Sequence, residues 1–260
     1  MSGAAAEPAL RAVAVTKFFG GVAGARDVSL SVSPGQIVGL IGPNGAGKST
    51  VLNCLSGVDR PSKGQVFLNG VDVTNWPDHR RARLGMGRTF QLLRLFPTLT
   101  VRENVMMALE HNLLTTLAGG PRPRGAAAKR PSVRADDALD QVGLAALRQT
   151  AVNSLTAGQR RLVEIARLLA MDLQVFLLDE PAAGLNSTES DELFALIDRV
   201  GASGKAVLLV EHRIRSVVRI VDHLVVMDHG TVIAEGTPQE VMALAEVREA
   251  YMGPDADADS

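Results

Sequence analysis

The sequence predicts an α/β fold with a mainly parallel sheet core, an antiparallel β subdomain and a helical subdomain. Three features point to it. Short, wholly apolar runs alternate with helical segments through the last third of the chain, as strands buried on both faces between helices do. Near the start, apolar residues alternate with polar ones between glycine turns, and the middle of the chain reads as helix after helix. With 46% apolar and 21% charged residues in 260, the chain can bury a core, and neither disorder nor a fibrous repeat is indicated.

Taken in order, Leu10 to Val32 reads as short antiparallel strands turned at Gly20, Gly21 and Gly24. Gln36 to Ile41 is an apolar strand, Gly42 to Gly47 a glycine-rich turn, and Lys48 to about Ser56 a helix. Strand-like pieces follow at Val66 to Leu68 and Leu84 to Gly87, then helices from about Val101 to Leu114 and from Arg134 to Leu147. Between these lies Thr115 to Arg134, rich in Ala, Gly and Pro, with five basic residues and no acid. It reads as a mobile, solvated insert, with a membrane headgroup contact as the alternative. The last third reads as helix Gln159 to Ala170, strand Val175 to Leu178, helix Thr188 to Val200, strand Ala206 to Val210, helix Ile214 to Ile220 and strand Leu224 to Met227. The expected domain covers 10–253, with a catalytic core from 10–87 and 172–240 and a helical subdomain over about 88–171. The acidic tail 254–260 reads as disordered.

A formal net charge of −1 supplies no overall basic field, so no nucleic-acid partner is expected. The single cysteine, Cys54, lies among Val51, Leu52 and Leu55 and reads as a reduced core thiol. Met1 to Leu10 has no positive start and no long apolar run, so a secretory signal is not expected and the chain should remain inside the cell. The densest apolar stretches are far shorter than the roughly 18 residues that cross a bilayer.

Chemistry enters at Gly42-Pro43-Asn44-Gly45-Ala46-Gly47-Lys48-Ser49-Thr50, which fits G-x-x-x-x-G-K-[ST] between a strand and a helix. Glycines let the backbone close around phosphate oxygens with its N–H groups pointing inward. The helix start adds its positive end, Lys48 a point charge, and the Ser49 hydroxyl a ligand for Mg²⁺. ATP with Mg²⁺ is the expected cofactor pair. Val175 to Leu178 ends in Asp179-Glu180, two carboxylates at the carboxyl edge of a sheet, where ligands of open α/β folds bind. Asp179 is expected to hold Mg²⁺ through water, and Glu180 to orient and deprotonate the water that attacks the γ-phosphate.

Together these residues resemble the ABC ATPase family from about Leu10 to Gly253, so a P-loop NTPase of ABC type is expected. The resemblance implies that Gln91 in Thr89-Phe90-Gln91 senses Mg²⁺ and the attacking water. Leu155-Thr156-Ala157-Gly158-Gln159 is similar to the family's L-S-G-G-Q signature, with Thr156 in place of Ser and Ala157 in place of the first Gly. Thr156 and Gln159 are also spaced as a helix capping box. In the family, two copies pair head to tail, and the signature of one meets the γ-phosphate held by the other. Ala183-Gly184-Leu185-Asn186 resembles the D-loop of that interface, and His212 after Glu211 resembles the switch histidine that touches the γ-phosphate. Phe19 resembles the aromatic that stacks on adenine, with Phe18 the alternative.

Within the family, Gly87 to Asn104, the insert, Pro181 to Asn186 and Val232 to Pro238 look most like the ATPases of branched-chain amino acid importers. Arg213 stands where relatives usually carry Asp. This resemblance implies an ATPase on the cytoplasmic face of the membrane, paired with itself or a paralogue, docked on two permease subunits and served indirectly by a solute-binding protein. The apolar run Leu92 to Leu99 would either form a groove for a permease helix or pack the helical subdomain. The alternatives are a lipopolysaccharide-export ATPase, a non-transport ABC ATPase and a P-loop small-molecule kinase. The last has no use for a signature helix.

Overall fold

A computed structural model of the chain describes residues 7–89, 95–117, 129–212, 214–245 and 247; the side chains of 110–117, 215 and 216 lie outside that description. Gln91, Arg213, residues 118–128 of the insert, Leu92 to Arg94 and the tail 254–260 fall outside the described residues. The strands are β1 (Leu10–Phe19), β2 (Val22–Val32), β3 (Ile37–Ile41), β4 (Lys63–Leu68), β5 (Val71–Asp72), β6 (Met86–Arg88), β7 (Val175–Asp179), β8 (Ala206–Val210), β9 (His223–Asp228) and β10 (Thr231–Gly236). The helices are α1 (Lys48–Ser56), α2 (Asp78–Arg83), α3 (Val101–Leu117), α4 (Pro131–Gln141), α5 (Ala157–Ala170), α6 (Ser187–Ala202), α7 (Ile214–Val217) and α8 (Pro238–Ala243).

These elements sort into two compact units. Of the described residues, the first holds those up to Gly87, Gln174–Glu180 and those from Ile197 onward; the second holds those between Arg88 and Leu173 and Pro181–Leu196. In the first unit, six strands lie in the order β10-β9-β3-β8-β7-β6, with β9, β3, β8 and β7 parallel and β10 antiparallel to β9. Every residue of β3, β7 and β8 is buried, which is why these strands read as unbroken apolar runs. An antiparallel sheet, β2-β1-β4-β5, belongs to the same unit. One core runs through both sheets, joined by Val51, Leu52, Cys54 and Leu55 of α1. Cys54 is free and fully buried, and burial pushes its thiol up to about 11.

In the second unit α3, α4 and α5 pack on one another. Arg102 of α3 donates through Nε and Nη2 to the two oxygens of Asp136 on α4, both at 2.8 Å, and Arg148 Nε lies 3.3 Å from the same carboxylate. Asn104 is wholly buried; its Oδ1 accepts from Phe96 N and its Nδ2 donates to Phe96 O and Thr100 O, so one amide ties the approach of the chain to α3.

Several boundaries differ from the sequence expectation. α3 runs to Leu117 and α4 starts at Pro131, so both ends of the 115–134 segment are helical; proline at the first position of α4 needs no N–H partner there. α4 stops at Gln141 because Gly143 adopts φ 74°, and Ala145–Leu147 forms a separate 3-10 turn. The helix expected over Ile214 to Ile220 is the single turn α7. α2 was not legible, because Asp78–Arg83 is polar except for Ala82 and shows no apolar stripe. Among the described residues no helix is long and apolar enough to cross a membrane.

Candidate functional site

Asp222 Oδ2 accepts from Ile37 N at 2.8 Å and anchors the start of β3, the strand that delivers the glycine-rich turn. Gly45 and Gly47 have φ 83° and 97°, left-handed values that side chains resist. The turn is also hemmed in: a Cβ on Gly47 would lie 2.3 Å from Gly24 O of β2, and one on Gly42 would lie 2.4 Å from Met227 O of β9. Gly230 N donates to Ala46 O at 3.0 Å, so the β9–β10 turn clasps the same loop. Sequence reasoning missed Gly24, Met227 and Gly230 as supports; a glycine inside β2 is the one available signal, since such a residue often marks close backbone approach.

α1 has no side-chain cap at its N-terminus and no acid in its first turn, so its positive end remains available to an anion. Lys48 is buried and its Nζ donates to Gly42 O at 2.6 Å and Pro43 O at 2.9 Å, which holds the ammonium within the curve of the loop. Burial lowers its pKa, opposed by the charges of Glu180 and Asp179. A loop that needs glycine at 42 and 47 to pack against its neighbours, a capless helix start and an ammonium held within the loop fit a polyphosphate.

Asp179 ends β7, 1% exposed. Glu180 follows with φ 43°, a rare backbone for a glutamate, its N–H fixed to Val210 O at 2.9 Å. Such a residue at a strand end marks a site where geometry is imposed from outside. His212 Nδ1 stands 4.0 Å from Glu180 Oε1 and 3.8 Å from Glu211 Oε2; the imidazole is half exposed while Glu211 is wholly buried. The structure therefore brings Lys48, Asp179, Glu180 and His212 into one unit. The Ser49 hydroxyl and the Asp179 carboxylate are hard oxygen donors of the kind Mg²⁺ takes.

Neighbouring strand residues face opposite ways, so only one of Phe18 and Phe19 can lie toward α1. It is Phe19: the point where a Gly24 Cβ would sit is 2.8 Å from Phe19 Cε2 and 3.1 Å from Thr50 Oγ1. Its ring is half exposed, and Lys17 Nζ lies 5.3 Å from the ring centroid.

In the second unit the capping box at the start of α5 is formed, with Gln159 N donating to Thr156 Oγ1 at 3.1 Å and Thr156 N to Gln159 Oε1 at 3.0 Å. The Ala157 side chain is exposed, whereas Gly158 is buried and a Cβ there would lie 2.6 Å from Glu189 Oε1. The crowded position of the signature is thus Gly158, and the crowding comes from Glu189. That glutamate belongs to a second reciprocal cap, since Asn186 N donates to its Oε2 and its own N donates to Asn186 Oδ1.

Residues 25–183 match the ABC transporter family model, and residues 231–256 match the model of the branched-chain amino acid ATP-binding cassette transporter. The high-affinity branched-chain amino acid transport ATP-binding protein BraF of Pseudomonas aeruginosa is 39% identical over 95% of this chain and 98% of its own. The lipopolysaccharide export system ATP-binding protein LptB of Acidithiobacillus ferridurans is 39% identical over 88% of this chain and 90% of its own. Among solved structures, the ADP conformation of an ATP-binding cassette of an ABC transporter superposes with a TM-score of 0.82 at 30% identity, over 95% of this chain and 99% of that one. A dimeric bacterial ABC transporter cassette superposes with a TM-score of 0.75 at 26% identity, over 88% of this chain and 98% of the other. A family match over residues 25–183, together with a relative 39% identical over 95% of the chain, shows that this protein belongs to the ABC transporter family as one of its ATP-binding, ATP-hydrolysing subunits.

Proposed function

We propose that the chain powers the import of branched-chain amino acids or closely related solutes, working at the cytoplasmic face of a membrane on two permease subunits that receive solute from a binding protein. The observation that carries this reading is the match of residues 231–256, covering β10 and α8, to the branched-chain amino acid transporter model. The likeness to BraF supports it across nearly the whole chain.

In this reading the Gly42–Thr50 loop wraps the phosphates and Lys48 neutralises the outer ones. Ser49 and Asp179 would hold Mg²⁺, with Gln91 as a further ligand, and the ion would supply neutralisation of phosphate charge. Glu180, held in place by its backbone, takes a proton from the attacking water, and His212 beside it meets the γ-phosphate. Phe19 presents its free face to adenine. A second copy or a paralogue brings Thr156, Ala157, Gly158 and Gln159 to the γ-phosphate, where the start of α5 offers its amides.

A second reading, lipopolysaccharide export, draws on the equally identical LptB. One experiment separates the two. The tagged chain is purified from membranes with its attached integral proteins and reconstituted in vesicles with the cognate binding protein. ATP-dependent leucine accumulation is expected; attachment to a lipopolysaccharide exporter with no leucine uptake would overturn the import reading.

A further inference from the structure

Arg81, on α2, is the largest side chain wholly buried among the described residues, 1% exposed. Its guanidinium donates to four main-chain carbonyls: Nη1 to Cys54 O at 2.8 Å and Leu55 O at 2.6 Å, Nε to Trp76 O at 3.0 Å, and Nη2 to Thr74 O at 3.2 Å. Two of these carbonyls belong to the last turn of α1. A helix leaves its final four carbonyls without internal partners, here those of residues 53–56. Asn53 O is taken by Gly57 N and Asp59 N, at 3.1 Å each. Cys54 O and Leu55 O go to Arg81.

Space is arranged around that contact. Gly57 adopts φ 82°, and a Cβ on it would lie 2.7 Å from Arg81 Nε and 2.8 Å from Trp76 O. Burial lowers the Arg81 pKa to about 10, which leaves it charged at neutral pH. A cation therefore sits, at neutral pH, on the negative end of the helix whose positive end opens onto the phosphate loop. α1 has only nine residues, about 13 Å of helix, too short to hold its own conformation. What fixes one end of so short a rod fixes the other.

We propose that Arg81 is a positioning residue for the nucleotide: by capping the far end of α1 it sets the helix start and Lys48 in the place where the phosphates bind. The proposal rests on the reading of Gly42–Thr50 as the phosphate site, and Lys48→Ala run in parallel tests that reading by itself.

The experiment measures MgATP affinity by equilibrium titration and steady-state turnover, on full-length chains held well below their melting temperatures. Arg81→Met keeps the aliphatic length and removes the cap. Its dissociation constant and KM should both rise about tenfold while kcat changes less than threefold. Arg81→Lys, which keeps the charge but cannot reach four carbonyls, should fall between, with KM raised about threefold. A lowered melting temperature with affinity and KM within twofold of wild type would reduce Arg81 to a structural residue and overturn the proposal, as would a fall in kcat at unchanged KM. Should Arg81→Met fail to fold, Arg81→Lys decides, and a wild-type KM there overturns the idea. If Lys48→Ala binds MgATP as tightly as wild type, the phosphate-loop reading itself fails.

Discussion

Glu180 combines an acidic side chain with a left-handed backbone, φ 43°, that its neighbours impose through the bond to Val210 O. Glu180→Gln keeps the shape and removes the proton acceptor. MgATP affinity should stay within about threefold of wild type while turnover falls by on the order of 100-fold or more, the usual contribution of a general base. A variant that turned over at the wild-type rate would remove Glu180 from that role. At this scale the sequence was highly legible where a chemical type recurs at a fixed spacing. The Gly42–Thr50 turn into α1 and the Asp179-Glu180 pair at the end of β7 were placed from residue order alone, and the buried Cys54 thiol from its apolar neighbours. Phe18 and Phe19 could not be separated, because both belong to one strand and only the approach of Gly24 shows which ring faces α1. Arg81 left no trace, since its partners are main-chain carbonyls that carry no residue signature.

Elements followed a similar rule. β3, β7 and β8 were legible because burial on both faces writes an unbroken apolar run, and α5 because its cap and amphipathic pattern agree. α2 was missed because a short polar helix pinned by one arginine has no apolar stripe, and α4 was displaced because Pro131 and Gly143, not its apolar face, set its ends. The α3–α4 contact also gives a pH dependence. The Arg102 hydrogen bond, then the nearby charges, hold the Asp136 carboxyl below its ordinary 3.8. A carboxylate whose folded pKa is depressed adds stability that is complete above the unfolded value and is lost as pH falls through the folded one. Both side chains are about a third exposed, so solvent screening limits the contribution to about 1 kcal/mol. The urea midpoint of the wild type should therefore fall further than that of Asp136→Asn between pH 5 and pH 3, with the two curves converging at the acid end. Parallel curves through that range would show that the pair adds nothing.

At the scale of the molecule, Lys48, Asp179, Glu180 and His212 share one compact unit, while Thr156 to Gln159 belong to the other, with Glu189 closing the space beside Gly158. Sequence order located both sets. It could not supply the contacts that shape them, such as Gly24 against Gly47 or Gly230 on Ala46, because these join residues far apart in the chain. In the proposed function two copies complete each ATP site, with the phosphate loop from one and the signature from the other. Sedimentation of Glu180→Gln with and without MgATP, alongside turnover of the wild type over a dilution series, tests this most directly. The mass should double on adding MgATP, and turnover per chain should fall on dilution. A chain that stays monomeric in saturating MgATP, with turnover per chain unchanged at every dilution, would contradict it.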